Sequence, residues 1–115
     1  MSHVQDSSKA DRPTLRELAG TAYDRELSAC LRELFSQYRD WEARRIDSFQ
    51  LSDLIHKFHD GPSRKLYTIY TGMKPPELVA RAIAHGLLKR EEIPSQLLVK
   101  LEQKISVFQE LERDE

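Results

Sequence analysis

Apolar residues recur along this chain at intervals of three and four. Leu15, Leu18, Ala19, Ala22 and Tyr23 form one series, and Leu27, Cys30, Leu31, Leu34, Phe35, Tyr38 and Trp41 continue it. That period is the signature of an amphipathic α-helix. Thr14 and Glu17 have the spacing of a capping box, so the helix is predicted to open at the sequence PTLRE. Gly20 and Thr21 weaken it, glycine costing roughly 1 kcal/mol relative to alanine. This predicts a kink, or two helices over about 14–21 and 23–42. The stripe is wider than a coiled-coil seam and reads as facing a globular core.

The stretch EARRIDSFQLSDLIHKF reads as a turn and a new helix, with Asp47 as N-cap and Gln50 completing a second capping box. Leu51, Leu54, Ile55 and Phe58 share one face. Gly61-Pro62 is expected to end this helix and open another, since proline suits a first helical position. Leu66, Ile69 and Tyr70 give that next helix its apolar side. The grammar repeats in GMKPPELVARAIAHGLL: Pro75-Pro76 enter, Leu78, Val79, Ala82 and Ile83 face inward, and Gly86 leaves. A last helix from about Pro94 carries Leu97, Leu98, Leu101, Ile105 and Phe108. No stretch alternates with a period of two between turns, so no strand is expected. The fold class is all-α: a compact single domain of five or six amphipathic helices over residues 13–112. Residues 1–12 are polar apart from Val4 and read as a flexible tail.

Composition narrows the picture. The 115 residues include 18 basic and 19 acidic ones, for a net charge of -1, so no global field draws the chain to nucleic acid or anionic lipid. Cys30 is the single cysteine, which excludes an intramolecular disulfide and fits a reducing compartment. No apolar run approaches the ~18–20 residues that span a bilayer, and the N-terminus lacks the apolar segment of a secretion signal. The expected location is cytoplasmic.

The stretch CLRELFSQYRDWEARRIDSFQLSDLIHKFHD, about residues 30–60, resembles an EF-hand in layout. An incoming helix ends in spaced aromatics, a short loop carries Ile46, and an outgoing helix opens on an N-cap. With Ile46 as the apolar loop residue, the slots for oxygen ligands hold Arg39, Trp41 and Ala43, and the glycine slot holds Arg44. Asp47 falls on the ninth slot and Gln50 stands where a bidentate glutamate belongs. Calcium takes six to eight oxygens, so the resemblance implies the scaffold without its metal. No second loop with a ligand series is found; GLLKREEIPSQLL is the nearest.

Two candidate sites follow. His56 and His59 lie about 60° apart around a helix, with Asp60 beside them. Zinc wants three or four ligands, and His3 and His85 fall in the tail and on another helix, so no metal site is assigned. His59 reads instead as a cap on carbonyls at a helix C-terminus. The following turn could hold an anion: Gly61 and Ser63 would open a helix whose free N–H groups point outward, with His59, Arg64 and Lys65 nearby. Tyr67 and Tyr70 read as core or rim aromatics. The second site lies at the end of the long helix, where Tyr38, Trp41, Arg44 and Arg45 bring together the residue types enriched at binding hot spots.

Other chemistries find little support. The basic pairs Arg44-Arg45, Arg64-Lys65 and Lys89-Arg90 are scattered among acids, which is a poor footprint for nucleic acid. Cys30 sits on the apolar stripe and reads as a small core residue. No nucleophile elbow, phosphate-binding loop or zinc-protease motif occurs, and Glu91, Glu92 and Glu112 stand on polar segments. No cofactor is expected, and an enzyme is not. The sequence points to a helical protein-interaction or regulatory module whose partner is another protein or a second copy. The alternatives are a metal- or phosphate-binding regulatory domain using residues 56–65, and a nucleic-acid-binding helical domain.

Overall fold

A computed structural model describes residues 9–113, and these are helical throughout apart from short connections, with no strand among them. A short 3-10 turn, Lys9–Asp11, leads into α1 (Arg12–Glu42). Then come α2 (Ser48–Phe58), α3 (Arg64–Gly72), α4 (Pro75–Ala84) and α5 (Ser95–Arg113). A π-helical turn, His59–Ser63, joins α2 to α3 without a break. The continuous helical stretches are therefore four, where five or six were expected.

Two predicted breaks are absent. The first is at Gly20-Thr21, where α1 runs on uninterrupted. Thr21 Oγ1 donates to the Glu17 carbonyl one turn back, at 3.1 Å, and Leu15, Ala19 and Ala22 are buried around the weak point. A local penalty of roughly 1 kcal/mol is outweighed by packing, which supplies most helical stability in folded proteins. The helix also starts at Arg12, so Thr14 lies inside it and is not its cap. Residues 9–12, expected in the tail, are helical, and residues 1–8 lie outside the described residues.

The second missing break is at Gly61-Pro62. In an α-helix Pro62 would press its ring on the Phe58 carbonyl and leave a hydrogen bond unmade. The π turn removes the conflict by inserting an extra residue, so that N–H groups reach five residues back. The Arg64 N–H donates to the carbonyls of His59 and Gly61. The apolar face passes through the turn: Pro62 shares a crevice with Leu34, Leu54 and Phe58, and Leu66, four residues on, is buried.

Other ends follow the predicted grammar. The Asp47 carboxylate accepts from the Gln50 N–H at 2.8 Å, and the Gln50 side chain accepts from the Asp47 N–H at 2.8 Å. Pro75 and Pro76 occupy the first turn of α4. Gly86 closes that helix at φ 80, with Leu87 N–H donating to Ala82 and Gly86 N–H to Ile83. This is a Schellman ending. The Leu98 N–H donates to Pro94, which opens α5.

The chain divides into two compact units. One combines the described residues up to Ala22 with those from Met73 onward: the start of α1, then α4 and α5. It holds most of the buried apolar residues, among them Leu15, Val79, Leu88, Leu101 and Ile105. Lys100 Nζ bonds the Asp11 carboxylate at 2.8 Å, and Lys104 pairs with Glu77 at 3.1 Å. The other unit, Tyr23–Gly72, is a helical hairpin: the rest of α1 against α2, the π turn and α3. Among its residues only Leu51 and Leu66 are buried. Tyr23 stacks flat on Tyr70 at 4.4 Å, and Tyr70 donates its hydroxyl to Glu26 at 2.8 Å.

A Cβ added at Gly20 meets nothing within 4 Å. Gly20→Ala is therefore expected to stabilise the protein by roughly 1 kcal/mol, a rise in melting midpoint of about 4–8 °C. An unchanged or lower midpoint in a thermal melt would mean that α1 does not run unbroken through residue 20.

Candidate functional site

The hairpin unit decides which apolar residues meet water. Leu31, Phe35 and Tyr38 follow one another at four- and three-residue steps, so they lie on one side of α1. Leu27, Cys30 and Leu34 are partly covered, and Leu34 and Cys30 line the crevice that α2 closes. The first set is left out: Leu31 is 45% exposed, Phe35 59% and Tyr38 42%. The stripe expected to face a core is thus only half covered. A single antiparallel partner helix cannot reach all of it.

Trp41 continues this stripe toward the loop and is 40% exposed. Its ring is held in place, Nε1 donating to Ser48 Oγ at 3.0 Å. Arg39 sets its guanidinium 5.3 Å from the Phe35 ring centre, a cation–π contact that leaves the ring on the surface. Phe49, at the start of α2, is 86% exposed.

The turn after α1 is built by the backbone. The Arg45 N–H donates to Asp40 and the Arg44 N–H to Trp41, which is again a Schellman ending. The left-handed position falls on Arg44, at φ 63. Glycine takes that conformation freely, whereas an L side chain pays roughly 1–2 kcal/mol. Arg45 Nε bonds the Asp40 carboxylate at 3.0 Å. Trp41, Arg44 and Arg45 thereby line one concavity of about 750 Å³, with Ile46, Asp47 and Gln50. Tyr38, predicted with them, stands one turn earlier on the stripe and is not part of that lining.

Comparison with protein-family models, with curated proteins and with solved structures finds no match. The chemistry of this face must be read from its own residues.

The alternative site is reshaped by the π turn. No helix begins at Gly61-Pro62, so there is no set of free N–H groups for an anion, and His59 caps no helix end; both expectations rested on a break that does not exist. His59, Ser63 and Arg64 do share a cleft of about 490 Å³ with Tyr23, Tyr67 and Thr68. Gly61 and Lys65 are not part of it. His56 and His59 are exposed, and among the described residues no three His, Cys, Asp or Glu side chains are grouped to hold a metal ion. His85 lies 3.7 Å from Glu112. His3 lies outside the described residues.

The periodicity predicts Leu31 and Phe35 in the core and carries no signal for Phe49, whereas all three are exposed. For the first two the signal was present in the width of the stripe, which exceeds what one neighbouring helix covers.

Arg44→Gly is expected to raise stability by roughly 0.5–1 kcal/mol, relief of the left-handed strain exceeding the entropy that glycine adds to the unfolded chain. In a urea titration the midpoint should rise with the slope unchanged. A lower midpoint would show that the Arg44 side chain contributes more to stability than its backbone costs.

Proposed function

We propose that this chain is a helical protein-interaction module, acting without catalysis in the cytoplasm, that receives an apolar helix of a partner protein on the exposed side of α1. The observation that carries this reading is the run of Leu31, Phe35 and Tyr38, 42–59% exposed on consecutive turns of a well-formed helix. Helix-in-groove recognition reads such spacing as a series of anchors. Large aromatic side chains gain on the order of 1.5–3 kcal/mol when fully buried, so exposure along three turns is an unfavourable arrangement that a partner reverses.

Trp41 ends the run, and Arg44 and Arg45 line the concavity beside it, with Arg45 paired to Asp40. This is the composition of a hot spot with a polar rim. The strain at Arg44 supports the same reading, since backbone outliers are retained where a side chain is needed in place. No helix among the described residues is long and apolar enough to cross a membrane. The single cysteine supports a reducing compartment.

A photo-reactive phenylalanine placed at position 35 tests the proposal in cells that make the protein, with Gln103, an exposed polar position on α5, as control. The expected result is one discrete crosslinked product from position 35 and none from 103; a product of twice the chain mass identifies the partner as a second copy. Leu31→Ser with Tyr38→Ser should abolish the product while moving stability by no more than about 0.5–1 kcal/mol, as for surface substitutions. Equal products at both positions, or none, would contradict the proposal.

A further inference from the structure

A second feature lies wholly within the other unit. The first turns of α1, the start of α4 and one face of α5 enclose a cleft of about 430 Å³, within the ~300–1,000 Å³ of small-molecule sites. Its floor is apolar, formed by Leu15, Leu97 and Leu101, all buried. Its rim carries five cations: Arg12, Arg16, Lys74, Lys100 and Lys104. Lys100 is held by Asp11 and Lys104 by Glu77. Arg12, Arg16 and Lys74 have no carboxylate partner among the described residues.

Three unpaired cations around one cleft are unexpected in a chain of net charge -1. Like charges gathered over a low-dielectric floor repel one another and focus a positive potential into the cleft. An anion relieves that repulsion. Two arginines four residues apart on α1 offer planar guanidinium forks, the donor geometry that matches phosphate oxygens.

Glu77 lines the same cleft, where its Oε2 pairs with Lys104 at 3.1 Å.

We infer that this cleft binds a phosphorylated small molecule with an organic body. The phosphoryl oxygens are taken by Arg12, Arg16 and Lys74. The organic body lies against Pro75, Pro76 and the leucine floor. This site is independent of the α1 face and uses none of its residues.

Calorimetric titration and thermal melts with ADP, fructose 1,6-bisphosphate, inorganic pyrophosphate and adenosine test it, with sodium chloride at matched ionic strength as baseline. ADP or the sugar bisphosphate should bind saturably and raise the melting midpoint by about 10 °C near 100 times its dissociation constant. Pyrophosphate, with no organic body for the apolar lining, should bind at least tenfold more weakly, and adenosine not at all. Arg12 and Arg16 are exposed, so Arg12→Ala with Arg16→Ala should fold normally and lose tenfold or more in affinity. Arg44→Ala should bind as the parent does. No binding by any phosphate compound, or binding that survives the double substitution, overturns the inference. So does binding of an acidic peptide in place of them. Pyrophosphate affinity equal to that of ADP overturns the role given to the apolar lining.

Discussion

A helix that packs against one neighbour covers a single stripe of its surface and leaves the rest to water. That constraint governs Tyr23–Gly72. Here α1 meets only the rod formed by α2, the π turn and α3, and the apolar residues it presents spread over more of its circumference than that rod covers. Leu34 and Cys30 fall within reach of the rod. Leu31, Phe35 and Tyr38 do not. The other unit has three helical segments to close its core, and there Leu15, Val79, Leu101 and Ile105 are almost wholly removed from solvent. The same residue types thus meet different fates in the two units because the number of covering elements differs.

The π turn is what makes the rod a rod. Proline cannot continue an α-helix without a lost hydrogen bond and a steric conflict, and Asp60-Gly61-Pro62 would ordinarily end one. One extra residue in the turn accommodates the ring and keeps Pro62 beside Leu54 and Phe58. Residues 48–72 then act as one continuous support for α1. The histidines and basic residues of this stretch lie on the side of an unbroken helix and not at a helix end, which removes the backbone donors that an anion site there would need.

Much of the fold was legible in the residues. The Asp47–Gln50 capping box, the paired prolines of α4 and the left-handed glycine at Gly86 all express local chemistry that the surroundings do not override. What was not legible is non-local. Whether Gly20 breaks α1 depends on what buries Leu15, Ala19 and Ala22; whether Pro62 ends α2 depends on a turn type too rare to anticipate. Exposure along α1 depends on how many helices surround it, which periodicity does not report. Trp41, Arg44 and Arg45 could be nominated from their types and spacing. The basic cleft could not, because Arg12, Lys74 and Lys104 are distant in sequence and are brought together only by folding.

The claim that the outer side of α1 is a partner-binding face is tested most directly by hydroxyl-radical footprinting, read residue by residue by mass spectrometry. The purified protein would be compared with the same protein inside the cells that produce it. Phe35, Tyr38 and Trp41 should be oxidised readily in the purified protein and protected in the cell, with Tyr67, 62% exposed, equally reactive in both as an internal reference. Equal oxidation of Phe35 and Tyr38 in the two settings would contradict the account, leaving the stripe as surface that no partner covers.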